Sequence, residues 1–125
     1  MDEAKTRVIK QRMERTAQAL RKNNMEAHCV AKAADVLPLV RTLLQKGDVV
    51  AAGGSISLSE TGIMDLLDNG DYHYLNRMTP GLSGEEIGKI YREVFSADCY
   101  FASSNAVTEQ GELYNVDGNA NRVAA

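Results

Sequence analysis

Val49-Val50-Ala51-Ala52 is a run of four apolar residues, closed at once by Gly53-Gly54 and the hydroxyl-rich Ser55-Ile56-Ser57-Leu58-Ser59-Glu60-Thr61-Gly62. A strand without a polar face is buried on both, which is the condition of a parallel sheet covered by helices. A glycine turn leading into a hydroxyl-capped helix start is the order in which an α/β protein offers backbone N–H groups to an anion. The stretch from Val49 to Gly62 therefore constrains the fold and marks the floor of a site. Its expected counterpart is Ser103 to Arg122, which carries too many polar side chains in succession for a core segment. The two stretches are expected to meet in space.

The segments on either side alternate between the periods of helix and strand. From Thr6 to Asn24, Ile9, Met13, Ala17 and Leu20 fall at helical spacing together with Thr16, and Lys10, Arg12, Arg15, Arg21 and Lys22 lie elsewhere around the wheel. This basic N-terminal arm is read as a helix solvated on one face, ended by Asn23 and Asn24. Met25 to Ala31 is a strand candidate. A helix follows from about Asp35 to Lys46, with Val36, Val40, Leu43 and Leu44 inward, Pro38 in its first turn and Gly47 as its stop. After the Val49–Ala52 strand, Ser57-Leu58-Ser59-Glu60 has the form of a capping box, and Ile63, Leu66 and Leu67 continue a helix to Asn69-Gly70. Tyr72 to Arg77 reads as a strand ended by the turn Thr79-Pro80-Gly81. A second capping box, Ser83-Gly84-Glu85-Glu86, opens a helix that turns Ile87, Ile90, Tyr91, Val94 and Phe95 inward, and Cys99 to Ser103 is the next strand. The order βαβαβαβ implies an α/β fold: an open, mainly parallel sheet with right-handed crossovers and helices on both faces.

Beyond Ser103 the rhythm changes. Val107 to Leu113 reads as a turn leading into a short strand, and Asp117-Gly118-Asn119 as a further turn. Val123-Ala124-Ala125 looks like the first apolar turn of a helix, so the C-terminal part of the domain is expected to be missing from this chain. Apolar surface left open there predicts a homo-oligomer.

The 125 residues are one domain's worth, and 44% hydrophobic with 25% charged residues is ordinary for a globular protein. A net charge of -3 and a pI near 5.4 argue against a nucleic-acid binder, whose affinity comes from excess Lys and Arg. No apolar run approaches the ~20 residues that span a bilayer, and the start Met1-Asp2-Glu3-Ala4-Lys5 resembles neither a secretory signal nor a transit peptide, so the expected place is cytoplasmic. Cys29 and Cys99 stand singly in apolar runs and read as small buried hydrophobes, without the clustering an iron–sulfur cluster needs. His28 and His73 have no ligand-like spacing, and His73 reads as structural. No metal or cofactor is expected in this chain, and neither a Ser-His-Asp set nor a Gly-x-Gly-x-x-Gly fingerprint is present.

Several residue sets carry a resemblance: Gly53-Gly54-Ser55 with Glu60-Thr61-Gly62, Ser104-Asn105-Ala106-Val107-Thr108 with Gly111, and Asn115-Val116-Asp117-Gly118 followed by Asn121-Arg122-Val123. In these the chain resembles, over nearly its whole length, the LUD (lactate-utilisation) domain family, whose superfamily includes glucosamine-phosphate isomerases, ribose-5-phosphate isomerases and CoA transferases. The resemblance implies a link to oxidation of lactate to pyruvate beside iron–sulfur partner subunits. Gly111 to Gly118 also looks like a segment of methylthioribose-1-phosphate isomerase that helps hold a phosphorylated sugar. One departure is Ala120, where the family usually carries Gly before the Asn-Arg pair, which leaves the backbone less free to approach a ligand.

The candidate ligand is thus a small anionic metabolite: a phosphate, a carboxylate or a CoA ester. Gly53, Gly54, Ser55 and Ser57 are expected to offer backbone donors at the sheet's carboxyl edge, although a plain strand-to-helix turn needs the same residues. Asn105, Thr108 and Glu109 follow an apolar strand, with Glu109 the candidate general base or nucleophile or else an exposed turn residue. Asn115, Asp117, Gly118 and Asn121 are expected to position ligand groups, although Asn, Asp and Gly are also turn formers, and Arg122 offers a planar fork or a surface ion pair. The leading expectation is a LUD-type domain that binds such a metabolite in organic-acid metabolism. The alternatives are an isomerase or acyl- or CoA-transfer enzyme using Glu109, and an accessory subunit that docks an iron–sulfur redox partner.

Overall fold

The computed structural model describes residues 2–125, the side chain of Asn121 excepted. The chain divides into two compact units, one made of residues up to Ala31 together with Ser104–Val116, the other of Lys32–Ser103 and Asp117–Ala125.

The first unit is a helix and a hairpin. Helix α1, Glu3–Lys22, begins where the Asp2 carboxylate accepts the backbone N–H of Ala4 (3.1 Å) and ends with Arg21 and Lys22 in the last turn, each end complementing the helix dipole. Asn24 closes it with φ 63°, a left-handed conformation that Asn tolerates. Strands β4, Ala106–Val107, and β5, Leu113–Tyr114, pair antiparallel through Ala106–Tyr114 and Val107–Leu113. Their turn ends in Gly111, buried and at φ 83°, pressed against the C-terminal part of α1, where Asn23 Nδ2 donates to the carbonyls of Gln110 (3.1 Å) and Gly111 (2.8 Å).

The strand expected over Met25 to Ala31 does not form; these residues join no ladder, and the segment is tied instead by Arg21 Nη2 donating to the Ala27 carbonyl (2.7 Å). Without a neighbouring strand the alternation buries nothing, and Cys29, expected inside, is exposed.

The second unit holds a three-stranded parallel sheet in the order β2-β1-β3, with β1 Val49–Ala52, β2 His73–Tyr74 and β3 Cys99–Phe101. The central place goes to the strand with no polar residue, whose Val50 and Ala51 are 0% and 1% exposed. Asp98 fixes the register: its carboxylate accepts the Val49 N–H and its own N–H donates to the Val49 carbonyl, both at 2.8 Å. The strand expected over Tyr72 to Arg77 pairs at only two residues, because the chain turns at Asn76, whose side-chain oxygen accepts the Met78 N–H (2.9 Å).

One core joins Val50 of the sheet to Val40 and Leu44, Leu58, Ile63 and Leu67, with Cys99 and Phe101 packed against it. Removing a side chain as enclosed as Leu67 costs on the order of 2–5 kcal/mol. Val40 lies in α2, Val36–Leu43, which follows a 3-10 turn and has Pro38 in its first turn as expected. The helix stops three residues short of Lys46, and Leu44 reaches the core from beyond its end.

The Ser57–Glu60 capping box does not form. Helix α3, Ile56–Glu60, starts one residue earlier, because Ser55, leaving the β1 turn in an extended conformation (φ -158°), takes the N-cap place, and Ser57 instead gives its carbonyl to Thr61 Oγ1 (2.7 Å). Gly62, at φ 82°, separates α3 from α4, Ile63–Asn69. The Ser83–Glu86 box does form, Ser83 Oγ accepting the Glu86 N–H and the Glu86 carboxylate accepting the Ser83 N–H, at the start of α5, Gly84–Glu93. A last short helix, α6, spans Asn121–Ala124.

Candidate functional site

The three parallel strands end side by side at Tyr74, Ala52 and Phe101, the edge where open α/β sheets hold ligands. Gly53 and Gly54 continue from β1, Asn76 and Arg77 from β2, and Ser103 from β3. Gly53 still donates to the Phe101 carbonyl (2.9 Å), and neither glycine takes a positive φ. A Cβ at Gly53 would lie 2.9 Å from the Tyr100 hydroxyl oxygen, the tip of a side chain that would have to shift to admit it, and one at Gly54 would lie 3.7 Å from Arg77 Nη2, in ordinary contact. Ser55 Oγ donates to Ser103 Oγ at 3.0 Å. Helix α3, of five residues, adds little dipole field at Ser55 to Ser57.

Of the second polar stretch, Ser103 and Asp117–Arg122 lie in the sheet unit with Gly53 to Ser57. The Arg122 guanidinium meets the Asp117 carboxylate at 2.7 and 2.8 Å, and its Nη1 donates to the Ser103 carbonyl. The other Asp117 oxygen accepts the Val123 N–H (2.8 Å). With the two side chains 18% and 13% exposed, this pair works as a buckle that fastens α6 to the end of β3. Gly118 has open space around it. The side chain of Asn121 lies outside the described residues. Just before it, Ala120 is held at φ 56°, the left-handed region where the backbone favours glycine.

Asn105, Thr108, Glu109 and Asn115 belong to the helix–hairpin unit. Asn105 Oδ1 accepts the Val116 N–H (3.0 Å), and Thr108 Oγ1 accepts the Glu112 N–H (3.0 Å) while donating to the Glu112 carboxylate (3.1 Å), bonds that build the hairpin. Glu109 Oε1 accepts from Arg12 Nε at 2.8 Å and has Arg15 Nη2 at 3.7 Å, with the carboxylate side chain 44% exposed. Asn115 Oδ1 is buried without a hydrogen-bond partner among the described residues.

The residue that sequence reasoning passed over is Arg77. Nη1 donates to the Tyr91 hydroxyl on α5 (3.2 Å), and the guanidinium carbon stands 5.6 Å over the Tyr91 ring. Among the described residues no carboxylate pairs with it, although its side chain is half-buried. It lines a cavity of about 190 Å³ with Leu75, Ile90, Val94, Phe95 and Tyr100. Its field is felt nearby: burial first, and then the Asp68 carboxylate, push the Tyr74 hydroxyl above its usual pKa, and Arg77 draws it back. The signal lay in position, a cation on the carboxyl side of a strand just ahead of a turn.

Among the described residues no group of three His, Cys, Asp or Glu side chains is placed to hold a metal ion, and no helix is long and apolar enough to cross a membrane. No curated protein and no solved structure matches the chain. The family model of the LUD domain matches residues 13–125, nearly the whole of it. On that match, with a three-stranded parallel sheet flanked by helices, the chain belongs to the LUD domain family and is a lactate-utilisation-related α/β domain protein.

Proposed function

We propose that this LUD domain binds a small organic anion at the carboxyl edge of its sheet, in the cavity that Arg77 lines. The observation that carries the reading is the half-buried residue Arg77, whose guanidinium no carboxylate of the described residues neutralises. A cation withdrawn from water costs free energy unless an opposite charge or full hydrogen bonding accompanies it, and a ring face together with one phenolic oxygen supplies only part of that. An anion entering the cavity completes the set.

The expected role of Arg122 changes accordingly. Its fork is taken by Asp117 and the Ser103 carbonyl, so it shapes the wall of the site and leaves the charge recognition to Arg77. Glu109 as a general base has less support, because a base must be free to take a proton and this carboxylate is engaged by two guanidinium groups in an exposed setting. The reading is therefore one of binding.

A thermal-shift series on the whole chain with lactate, pyruvate, inorganic phosphate and a CoA ester tests it, since a ligand bound only by the folded state raises the melting temperature. At least one of these anions is expected to stabilise the protein above a sodium chloride control, and Arg77→Gln is expected to abolish the gain. Stabilisation that survives unchanged in Arg77→Gln, or none from any anion, overturns the reading.

A further inference from the structure

The helix–hairpin unit has almost no core of its own. Ala17 is its one buried apolar side chain among the described residues, whereas Val8, Ile9 and Met13 of α1 are 59%, 46% and 40% exposed. A helix whose apolar stripe stays half in water gains free energy when that stripe is covered. Beside α1 runs a groove of about 780 Å³, with Ile9 and Met13 of the helix and Val30 and Ala31 of the following segment along it. Met25 to Ala31 joins no ladder, so no strand of the described residues pairs across it.

The charges on the groove say what fits there. Lys10 and Glu14 line it one helical turn apart, the spacing at which they are placed to pair with each other. Among the described residues Glu14 instead accepts from Arg21 Nη1 (3.2 Å), with its side chain 52% exposed, and Lys10 has no ion pair. A cation and an anion in this order along one helix face are self-complementary. When a helix of the same sequence lies antiparallel across the groove, a two-fold axis passes near Gln11 and Arg12 and sets Lys10 of each copy opposite Glu14 of the other. Nearly the same axis brings Ile9 of each copy to Met13 of the other, one residue out of step, a shift of about 1.5 Å that a lysine side chain takes up. A parallel pair would set Lys10 against Lys10, and like charges repel.

The area is sufficient. A 20-residue helix is ~30 Å long and ~10 Å wide, and with a segment of similar width beside it the face is roughly 600 Å². Two such faces bury roughly 1,200 Å², the lower limit of specific protein–protein interfaces.

We propose that the α1 groove is a self-association surface, on which a second copy of this chain lays its own α1 antiparallel across a two-fold axis to form a weak dimer. Ile9 and Met13 supply the apolar contact, and Lys10 with Glu14 sets the direction.

Sedimentation velocity on the whole chain over a concentration series tests this. An interface of that area is expected to dimerise with a Kd on the order of 10–100 µM. Lys10→Glu and Glu14→Lys each set like charge against like at both cross-pairs and are expected to weaken the dimer by about tenfold or more, whereas the double variant exchanges the pairs and is expected to recover it to within about threefold. Both positions are exposed, and circular dichroism checks that the variants fold. Cys29 gives a second readout, because it lines the groove with Sγ 3.7 Å from the Met13 carbonyl oxygen. It reacts as an exposed thiol in dilute protein, and its labelling by a disulfide-exchange reagent is expected to slow as the dimer forms. A chain that stays monomeric up to about 1 mM overturns the proposal and leaves the groove to a different partner. So does a dimer that the single reversals leave as strong, one that the double variant does not recover, or one in which Cys29 labels equally fast at every concentration.

Discussion

Replacing Gly111 by alanine should separate two costs that usually arrive together. At φ 83° a side chain of any kind is strained, by about 1–2 kcal/mol for a left-handed residue. At Gly111 the new Cβ would also stand 2.5 Å from the Ala19 carbonyl carbon, 2.6 Å from its oxygen and 2.8 Å from Asn23 Nδ2. The first two are backbone atoms of a helix, which cannot turn aside as the tip of a side chain can. The hairpin must back away, and the bonds from Asn23 to the Gln110 and Gly111 carbonyls lengthen with it. Overpacking of this kind costs about 1–3 kcal/mol more. Gly81 supplies the control, with φ 84° and nothing within 4 Å of its Cβ position. Urea unfolding followed by circular dichroism should show Gly111→Ala destabilised by about 2–5 kcal/mol and Gly81→Ala by about 1–2 kcal/mol. Equal losses at the two positions would refute the packing of the hairpin turn on α1 and leave only the backbone effect.

Ala120→Gly should work in the opposite direction. Relief at φ 56° is worth about 1–2 kcal/mol, against about 0.5–1 kcal/mol for the greater freedom of glycine in the unfolded chain, so a net gain of up to about 1.5 kcal/mol is expected; a lower melting temperature would contradict it. Burial first, then the carboxylates of Asp48 and Asp98, raise the Cys99 thiol above its usual pKa, while Cys29 is exposed. A disulfide-exchange reagent at mildly alkaline pH should therefore label one thiol fast and one slowly, and Cys29→Ala should remove the fast phase. Cys99 and Tyr74 both hold their protons more tightly when folded, so the unfolded chain gives them up first as pH rises. The stability they contribute is whole below about pH 8.5 and is lost as pH rises through the folded pKa values. A melting temperature that stays level from neutral pH to pH 10.5 would argue against that burial.

Local chemistry written into the sequence was legible wherever a few adjacent residues settle the matter. The fully apolar Val49–Ala52 could only be an inner strand, Pro38 could only stand in a first helical turn, and Ser83 with Glu86 closed their box because both partners lie on one turn of α5. The family itself was legible too, since Gly53-Gly54-Ser55 and Asn115 to Val123 are ordered in the chain whatever their surroundings. What the sequence could not decide depended on distant partners. Met25 to Ala31 has the composition of a strand and found no ladder, since a strand is completed by its neighbour's hydrogen bonds. Ser57 had the same Ser-x-x-Glu spacing as Ser83 and lost the cap to Ser55, because the direction in which β1 delivers the chain fixes where α3 begins. Arg122 and Arg77 look alike in sequence. Only tertiary structure gave one of them a carboxylate at 2.7 Å and left the other half-buried against Tyr91 with none among the described residues, and charge compensation in three dimensions makes Arg77 the candidate anion site.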